Sequence, residues 1–152
     1  MSVHFKVYGK GKGKERPRFT RQGITYTPKT TIHYEQEIKG AYIEASRGRN
    51  LFGDRPVLMV VVEHKVIPKS TSKKNRQLML TDEKFPATKP DYDNVAKIVS
   101  DALNGLAYKD DSQVVAFSDK VFSKNDIAYI EVFMIEKTKS YKRDLIDILN
   151  CY

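Results

Sequence analysis

A chain of 152 residues with 40% apolar and 30% charged side chains has the length of one domain and enough apolar matter for a core, which excludes a disordered polymer and argues against two independent domains. No run approaches the roughly 18 apolar residues of a membrane span, and MSVHFKVYG lacks the basic and apolar regions of a signal peptide, so a cytoplasmic protein without a membrane partner is expected. The formal net charge of +8 and pI near 9.5 favour a polyanion such as nucleic acid, while the single cysteine, Cys151, rules out an intrachain disulfide and a zinc-ligand spacing.

Residues 2 to 8 alternate, with Val3, Phe5 and Val7 on one side and His4, Lys6 and Tyr8 on the other, the period of a half-buried strand. The next stretch, GKGKGKERPRFTRQG, sets Lys10, Lys12, Lys14, Arg16, Arg18 and Arg21 against one acid, Glu15, and reads as a basic loop. From Thr30 or Thr31 to about Arg47 the spacing of Tyr34, Ile38, Ala41, Tyr42 and Ala45 predicts a helix, with Gly48 past its end. Pro56 opens VLMVVVEHKVI, whose β-branched residues predict a central strand ending near Pro68. Residues 69 to 90 have two prolines within mixed polarity and no sustained period, so they read as a long irregular connection, with Lys69, Lys73, Lys74, Arg76 and Lys89 as further candidates for phosphate contact.

The segment DYDNVAKIVSDALNG gives a helix with Val95, Ile98, Val99, Ala102 and Leu103 as one apolar stripe and Gly105 as the stop. After AYKDDS, residues 113 to 122 and 127 to 136 are rich in Val, Ile, Phe and Tyr and are separated by SKND, which predicts a pair of adjacent strands. Residues 141 to 149 complete the pattern as a short terminal helix with Ser140 as cap. The order β, α, β, α, β, β, α implies a single α+β domain with a mixed sheet and no internal repeat.

Chemistry concentrates in KPDYDNVAK and the turn after its helix. Asp91 and Asp93 fall at the first helical turn, and Asp93 and Lys97 project away from the apolar stripe, four residues apart. A second acidic pair, Asp110 and Asp111, follows at the turn into the next strand. Hard cations such as Mg²⁺ take oxygen ligands and keep several waters, so Asp91, Asp93 and one of the second pair suffice for a catalytic metal. Phosphodiester hydrolysis needs such a metal to generate hydroxide near neutral pH and to offset charge in the transition state, where Lys97 adds a positive charge.

Each residue also has a plainer account. Asp91 or Asp93 serves as helix cap, Lys97 pairs with Asp93 or Asp101, and Asp110 and Asp111 are turn residues. Adjacent acids in a basic chain tip the balance, because they gather like charge where the fold has no need of it. Other motifs fit worse: ATKP is not the hydrophobic strand that precedes a haloacid-dehalogenase DxDx[TV] motif, the later ligands of a calcium loop are missing, and no GK[ST] closes a P-loop. His4, His33 and His64 are scattered.

The stretch KPDYDNVAKIVSDALNGLAYKDDSQVV, residues 89 to 115, resembles the RusA family of crossover junction endodeoxyribonucleases: D-x-D-N, a lysine four residues on, a helix ending D-A-L, then D-D-x-Q-V. The GKGKERPRF loop, YTPKTT and IPKSTSKK resemble its longer-loop members, so the similarity spans most of residues 2 to 135. The resemblance implies that Asp91, Asp93 and Asp111 bind the catalytic Mg²⁺, with Mn²⁺ as a substitute, that Lys97 assists at the phosphate, and that Asp110 has a supporting role. It further implies a homodimer of mixed α/β fold acting on four-way (Holliday) junctions in DNA recombination and repair, often in prophages, and leaving 5′-phosphate and 3′-hydroxyl ends. Compact members carry an arginine run before the first aspartate, where this chain has Thr88, Lys89 and Pro90, so base preference does not transfer. A noncatalytic DNA-binding module and a metal-dependent flap or single-strand nuclease are the competing functions. Phe19, Tyr26 and Phe85 lie in or beside the basic loops and are expected to pack onto the domain, with wedging against opened bases as the other role.

Overall fold

The computed structural model describes residues 1–138 together with Arg143, Ile146 and Asn150. Strand β1 (Ser2–Tyr8) alternates as its sequence predicts, turning Val3, Phe5 and Val7 into the core. It is followed by two short strands, β2 (Arg18–Phe19) and β3 (Thr25–Tyr26), that pair antiparallel within the basic stretch. Helix α1 (Lys29–Ser46) and strand β4 (Val57–Lys65) come next, then helices α2 (Lys73–Leu80) and α3 (Tyr92–Leu103). A 3₁₀ turn at Asp111–Gln113 leads into β5 (Val114–Phe122), and β6 (Tyr129–Glu136) follows.

The four long strands form one sheet in the order β1-β6-β4-β5, with β6 antiparallel to both neighbours and β4 parallel to β5. The expected pairing of 113 to 122 with 127 to 136 is therefore corrected: β4 lies between them. Its burial explains the insertion. Val57, Met59 and Val61 are buried on one face and Leu58 on the other, and a strand apolar on both faces loses most of its burial at a sheet edge. The turn residues SKND reverse the chain, but the strands they join are two places apart.

Helices α1 and α3 cover one face of the sheet. Tyr34, Ile38 and Tyr42 of α1 meet Val95, Ile98, Val99, Ala102 and Leu103 of α3 over Phe5, Met59, Val61, Ile130, Val132 and Met134. On the other face the Glu131 carboxylate accepts hydrogen bonds from His4 (2.8 Å) and His64 (3.0 Å), spanning β1, β6 and β4. Burial raises the Glu131 carboxyl pKa, but His4, Lys6 and His64 together hold it below the usual range.

The irregular connection expected over residues 69 to 90 contains α2, a second correction. Ser72 caps this helix through its hydroxyl, which accepts from the Asn75 N–H at 3.4 Å. Its one buried residue, Met79, packs with Ile67 and Phe122. A helix anchored by one side chain leaves no apolar period to read. The terminal helix expected at 141 to 149 falls for most of its length outside the described residues, as does Cys151. Among the described residues no helix is long and apolar enough to cross a membrane. The architecture is a mixed α+β domain of two layers.

Ile98 is fully buried where α3 meets the sheet, so Ile98→Ala should lower unfolding free energy by about 2–5 kcal/mol. Urea denaturation should show this as a lower midpoint at unchanged slope.

Candidate active site

The crossover from β4 to β5 lays α3 along the sheet with its apolar stripe inward, leaving the opposite edge of the helix facing the first half of β5. Between them is a cavity of about 450 Å³ lined by Asp93, Lys97, Ser100 and Asp101 of α3, by Asp111, and by Val114, Ala116 and Ser118 of β5. Two bonds fix its ends. Ser118 Oγ donates to the Tyr92 carbonyl at 3.1 Å, and the buried Tyr108 hydroxyl donates to the Ser100 carbonyl at 2.6 Å. Burial first, and then the charges of Asp111 and Asp101, push the Tyr108 phenol pKa up.

Of the sequence-derived residues, Asp93, Lys97 and Asp111 thus share one cavity, whereas Asp91 does not line it. Asp91 is the cap residue of α3, one position before the lining residue Tyr92, and its side chain makes no capping bond. Its backbone carbonyl accepts from the Val95 N–H at 3.2 Å, so the carboxylate is exposed and free of the capping duty that the plainer account gave it. Lys97 likewise forms no ion pair with Asp93 or Asp101: among the described residues Asp101 pairs with Lys14, at 3.1 Å.

The adjacent acids divide their work. Asp110 accepts from the Ser112 N–H at 2.9 Å, and its own N–H donates to Gln113 Oε1 at 2.8 Å, a reciprocal cap on the 3₁₀ turn. The Ser112 bonds hold the Asp110 carboxyl below its usual range. Gln113 Nε2 in turn donates to the carbonyls of Gly53 (3.0 Å) and Arg55 (2.8 Å), tying the turn to the chain before β4. With Asp110 spent on the turn, Asp111 is the acid presented to the cavity.

Asp101 is the lining residue that sequence reasoning assigned no role beyond pairing with Lys97. The signal was available, since positions 93, 97 and 101 repeat every four residues along one helical edge. Its partner Lys14 also pairs with Glu35. Burial lowers the Lys14 pKa, yet the bonds to Glu35 and Asp101 outweigh it and leave a net rise. Lys14 is therefore committed to two carboxylates rather than presented to a ligand.

The other basic candidates are distributed around the two loops. Lys10, Lys12, Arg16, Arg18, Arg21, Lys69, Lys73, Lys74 and Lys89 are exposed and Arg76 is half-buried. Arg18 pairs with Glu15 at 3.1 Å and Arg76 with Asp126 at 3.7 Å, while Lys12 lies 5.7 Å from the Tyr34 ring centre. Phe19, Tyr26 and Phe85 are 73%, 48% and 54% exposed, so they do not pack onto the domain as expected.

Among the described residues no three carboxylate, imidazole or thiol groups converge into a ready-made metal cage. The donor set nevertheless suits a hard cation. Asp91, Asp93 and Asp111 are exposed oxygen donors without an ion pair to any described basic side chain, although the chain carries 27 Lys and Arg. Magnesium needs one or two carboxylates plus waters.

Acids left unneutralised in a basic chain, beside a free lysine in one cleft, are the equipment of an enzyme that works on phosphodiesters. Comparison with family models places the chain more narrowly: residues 9–136 match the model described as endodeoxyribonuclease RusA, and the chain belongs to this nuclease family. It is also 36% identical over 118 residues to Uncharacterized protein YqaN of Bacillus subtilis (strain 168), an alignment spanning 74% of this chain and 82% of that protein.

Gln113→Ala should leave the Gly53 and Arg55 carbonyls short of a donor and release the turn that carries Asp111. A loss of about 1–3 kcal/mol in urea unfolding is expected, with a larger proportional fall in DNA cleavage than in DNA binding.

Proposed function

We propose that this chain is a structure-selective endonuclease that resolves four-way DNA junctions by Mg²⁺-dependent phosphodiester hydrolysis. The observation that carries the proposal is the shared cavity of Asp93, Lys97 and Asp111, none of them in an ion pair with another described residue. Family membership supports the nuclease chemistry. The residues that would hold the cation are Asp93 and Asp111, with Asp91 at the adjoining cap. When bound, the cation supplies Lewis-acid polarisation of the phosphate and an acidified water.

The chain's own groups do the rest. Lys97, one turn from Asp93, sets a positive charge against the oxygens on which negative charge builds during attack. Asp101, held by Lys14, adds a neutralised wall rather than a repulsive one. The first turn of α3 offers its N–H dipoles at the end where Asp91 and Asp93 stand, an arrangement that attracts negative charge such as phosphate. The exposed lysines and arginines of the two loops supply the affinity for the phosphate backbone.

The working unit in this reading is a twofold dimer. A junction must be cut in paired strands to leave intact duplexes, and two identical sites related by a dyad match that requirement. Val115 and Phe117 on the edge strand β5 are 41% and 37% exposed, and they are apolar residues on which such an interface could draw.

Asp91→Asn, Asp93→Asn and Asp111→Asn should each abolish cleavage of a labelled four-way junction while binding in a gel shift persists or tightens, because repulsion from phosphate falls. Asp110→Asn should be milder. Full activity in any two of the three variants would remove the metal-site assignment. A cruciform-extruding plasmid should pass directly to the linear form. Persistent nicked circles would point to a monomeric flap or single-strand nuclease, and no metal-dependent cutting at all to a binding module.

Junction affinity should fall steeply with KCl. Neutralising any one of Lys10, Arg16, Arg21, Lys69, Lys73, Lys74 or Lys89 that contacts phosphate should reduce the log–log slope by about one. A flat salt response would assign these residues to a merely solvated surface.

A further inference from the structure

Outside the cavity, Glu63 on β4 stands out as a carboxylic acid buried to 3% exposure in a chain rich in cations, with one oxygen, Oε2, lacking any hydrogen-bond partner. Its other oxygen lies 3.7 Å from Lys65 Nζ. Lys65 spends its ammonium on the segment that leads into α3: it donates to the Thr88 carbonyl at 3.3 Å, to Thr88 Oγ1 at 3.2 Å and to the Lys89 carbonyl. Lys120, the register partner of Glu63 on β5, donates to the same Thr88 carbonyl at 2.9 Å. Two lysines from adjacent strands therefore converge on one backbone segment, immediately before Asp91.

The basic loop is referenced to the same point. A Cβ on Gly11 would stand 2.7 Å from Glu63 Oε1, and one on Gly13 would stand 2.9 Å from the Asn94 Cβ and 3.3 Å from the Pro90 Cβ. The Lys14 N–H then donates to the Asn94 carbonyl at 3.0 Å. The loop is thus pressed onto Glu63 at one glycine and onto the first turn of α3 at the next. Burial pushes the Glu63 carboxyl pKa up, opposed by the charges of Lys65 and Lys120.

We propose that Glu63, Lys65 and Lys120 form a positioning unit that sets the leading end of α3, and with it Asp91 and Asp93, in register with the basic loop. None of the three lines the cavity, and their contribution passes through the backbone of residues 88–90. Such a unit fits the physics of the site. A hard cation tolerates little error in ligand placement, and Asp91 and Asp93 sit where a short segment without regular structure enters a helix. This inference rests on the metal-site reading above and assigns that site its supporting frame.

The test titrates Mn²⁺ alone into the full-length protein by calorimetry, without DNA, for the wild type, Lys65→Met, Lys120→Met, the double variant, Lys65→Arg and Glu63→Gln. Single-turnover cleavage, junction affinity in EDTA and thermal unfolding are read in parallel. The double variant should weaken Mn²⁺ binding by about 10-fold or more, the scale typical of lost outer-shell partners. Its cleavage rate at saturating protein should fall in step, while junction affinity in EDTA stays within about twofold, as expected where no phosphate contact is lost. Lys65→Arg, which keeps the charge and the donors, should recover most of both. Should Glu63→Gln fail to fold, the variants at the half-buried Lys65 and Lys120 still decide the matter. Wild-type metal affinity and rate in a folded double variant would overturn the positioning role and leave the metal site standing. A fall in rate matched by an equal fall in junction affinity would recast the lysines as phosphate contacts and overturn it as well. A wild type that binds no Mn²⁺ would overturn both readings together.

Discussion

Two strands that run in the same direction cannot be joined by a tight turn; the chain must leave the sheet, cross it and return. The parallel pairing of β4 with β5 imposes that constraint here, and the rest of the molecule follows from it. The crossover carries α2 and α3, and α3 must bury a full stripe against the sheet to hold the return path in place. Six of its twelve residues are buried, which leaves a narrow polar edge beside β5. The polar residues on that edge, Asp93, Lys97, Ser100 and Asp101, thereby line the cavity beside the strand that begins just after Asp111. The cavity is the gap that a helix of this amphipathicity leaves beside an edge strand.

The electrostatics of the chain run against its average. A molecule with this excess of cations has ample means to neutralise its acids, and it pairs chiefly those that are buried or half-buried. Lys14 is drawn to Glu35 and Asp101, Lys65 approaches Glu63, and Lys6 stands 3.5 Å from Glu131. Asp91, Asp93 and Asp111 receive no such partner among the described residues. For Asp91 and Asp93 helix geometry contributes, because an N-terminal turn favours nearby negative charge on its own. In the metal-site reading, Asp91, Asp93 and Asp111 are the positions that leave room for a cation from outside the chain.

The sequence made legible whatever depends on local period and spacing. The alternation of β1, the apolar stripe of α3 and the two acidic pairs were each visible in a short window, and the structure keeps them. What was not legible depends on distant parts of the chain. The false hairpin of β5 and β6 arose because SKND is a good turn, whereas the choice of neighbour is made by the apolar needs of β4, some fifty residues away in sequence as a rough measure. Helix α2 escaped because a single buried methionine carries no period. For the site, spacing singled out Asp93, Lys97 and the pair Asp110 and Asp111, the choice of Asp111 coming from the family resemblance, but it could not show that Asp91 stands outside the cavity or that Lys14 folds back onto Asp101. Glu63 was invisible for a related reason: within VLMVVVEHK it reads as the polar end of a strand, and its burial is made by Gly11, far upstream.

The alternating GKGKGK segment has a consequence for how this protein can vary. At Gly11 and Gly13 an added Cβ would crowd Glu63 or the start of α3, while the neighbouring lysines at positions 10 and 12 are exposed. Drift and engineering therefore have freedom at Lys10 and Lys12, whose charge, length or chemistry can be exchanged, but not in the spacing of the two glycines or at Lys14, which is tied to Glu35 and Asp101. The loop behaves as a ruler whose graduations are fixed and whose markings can be rewritten.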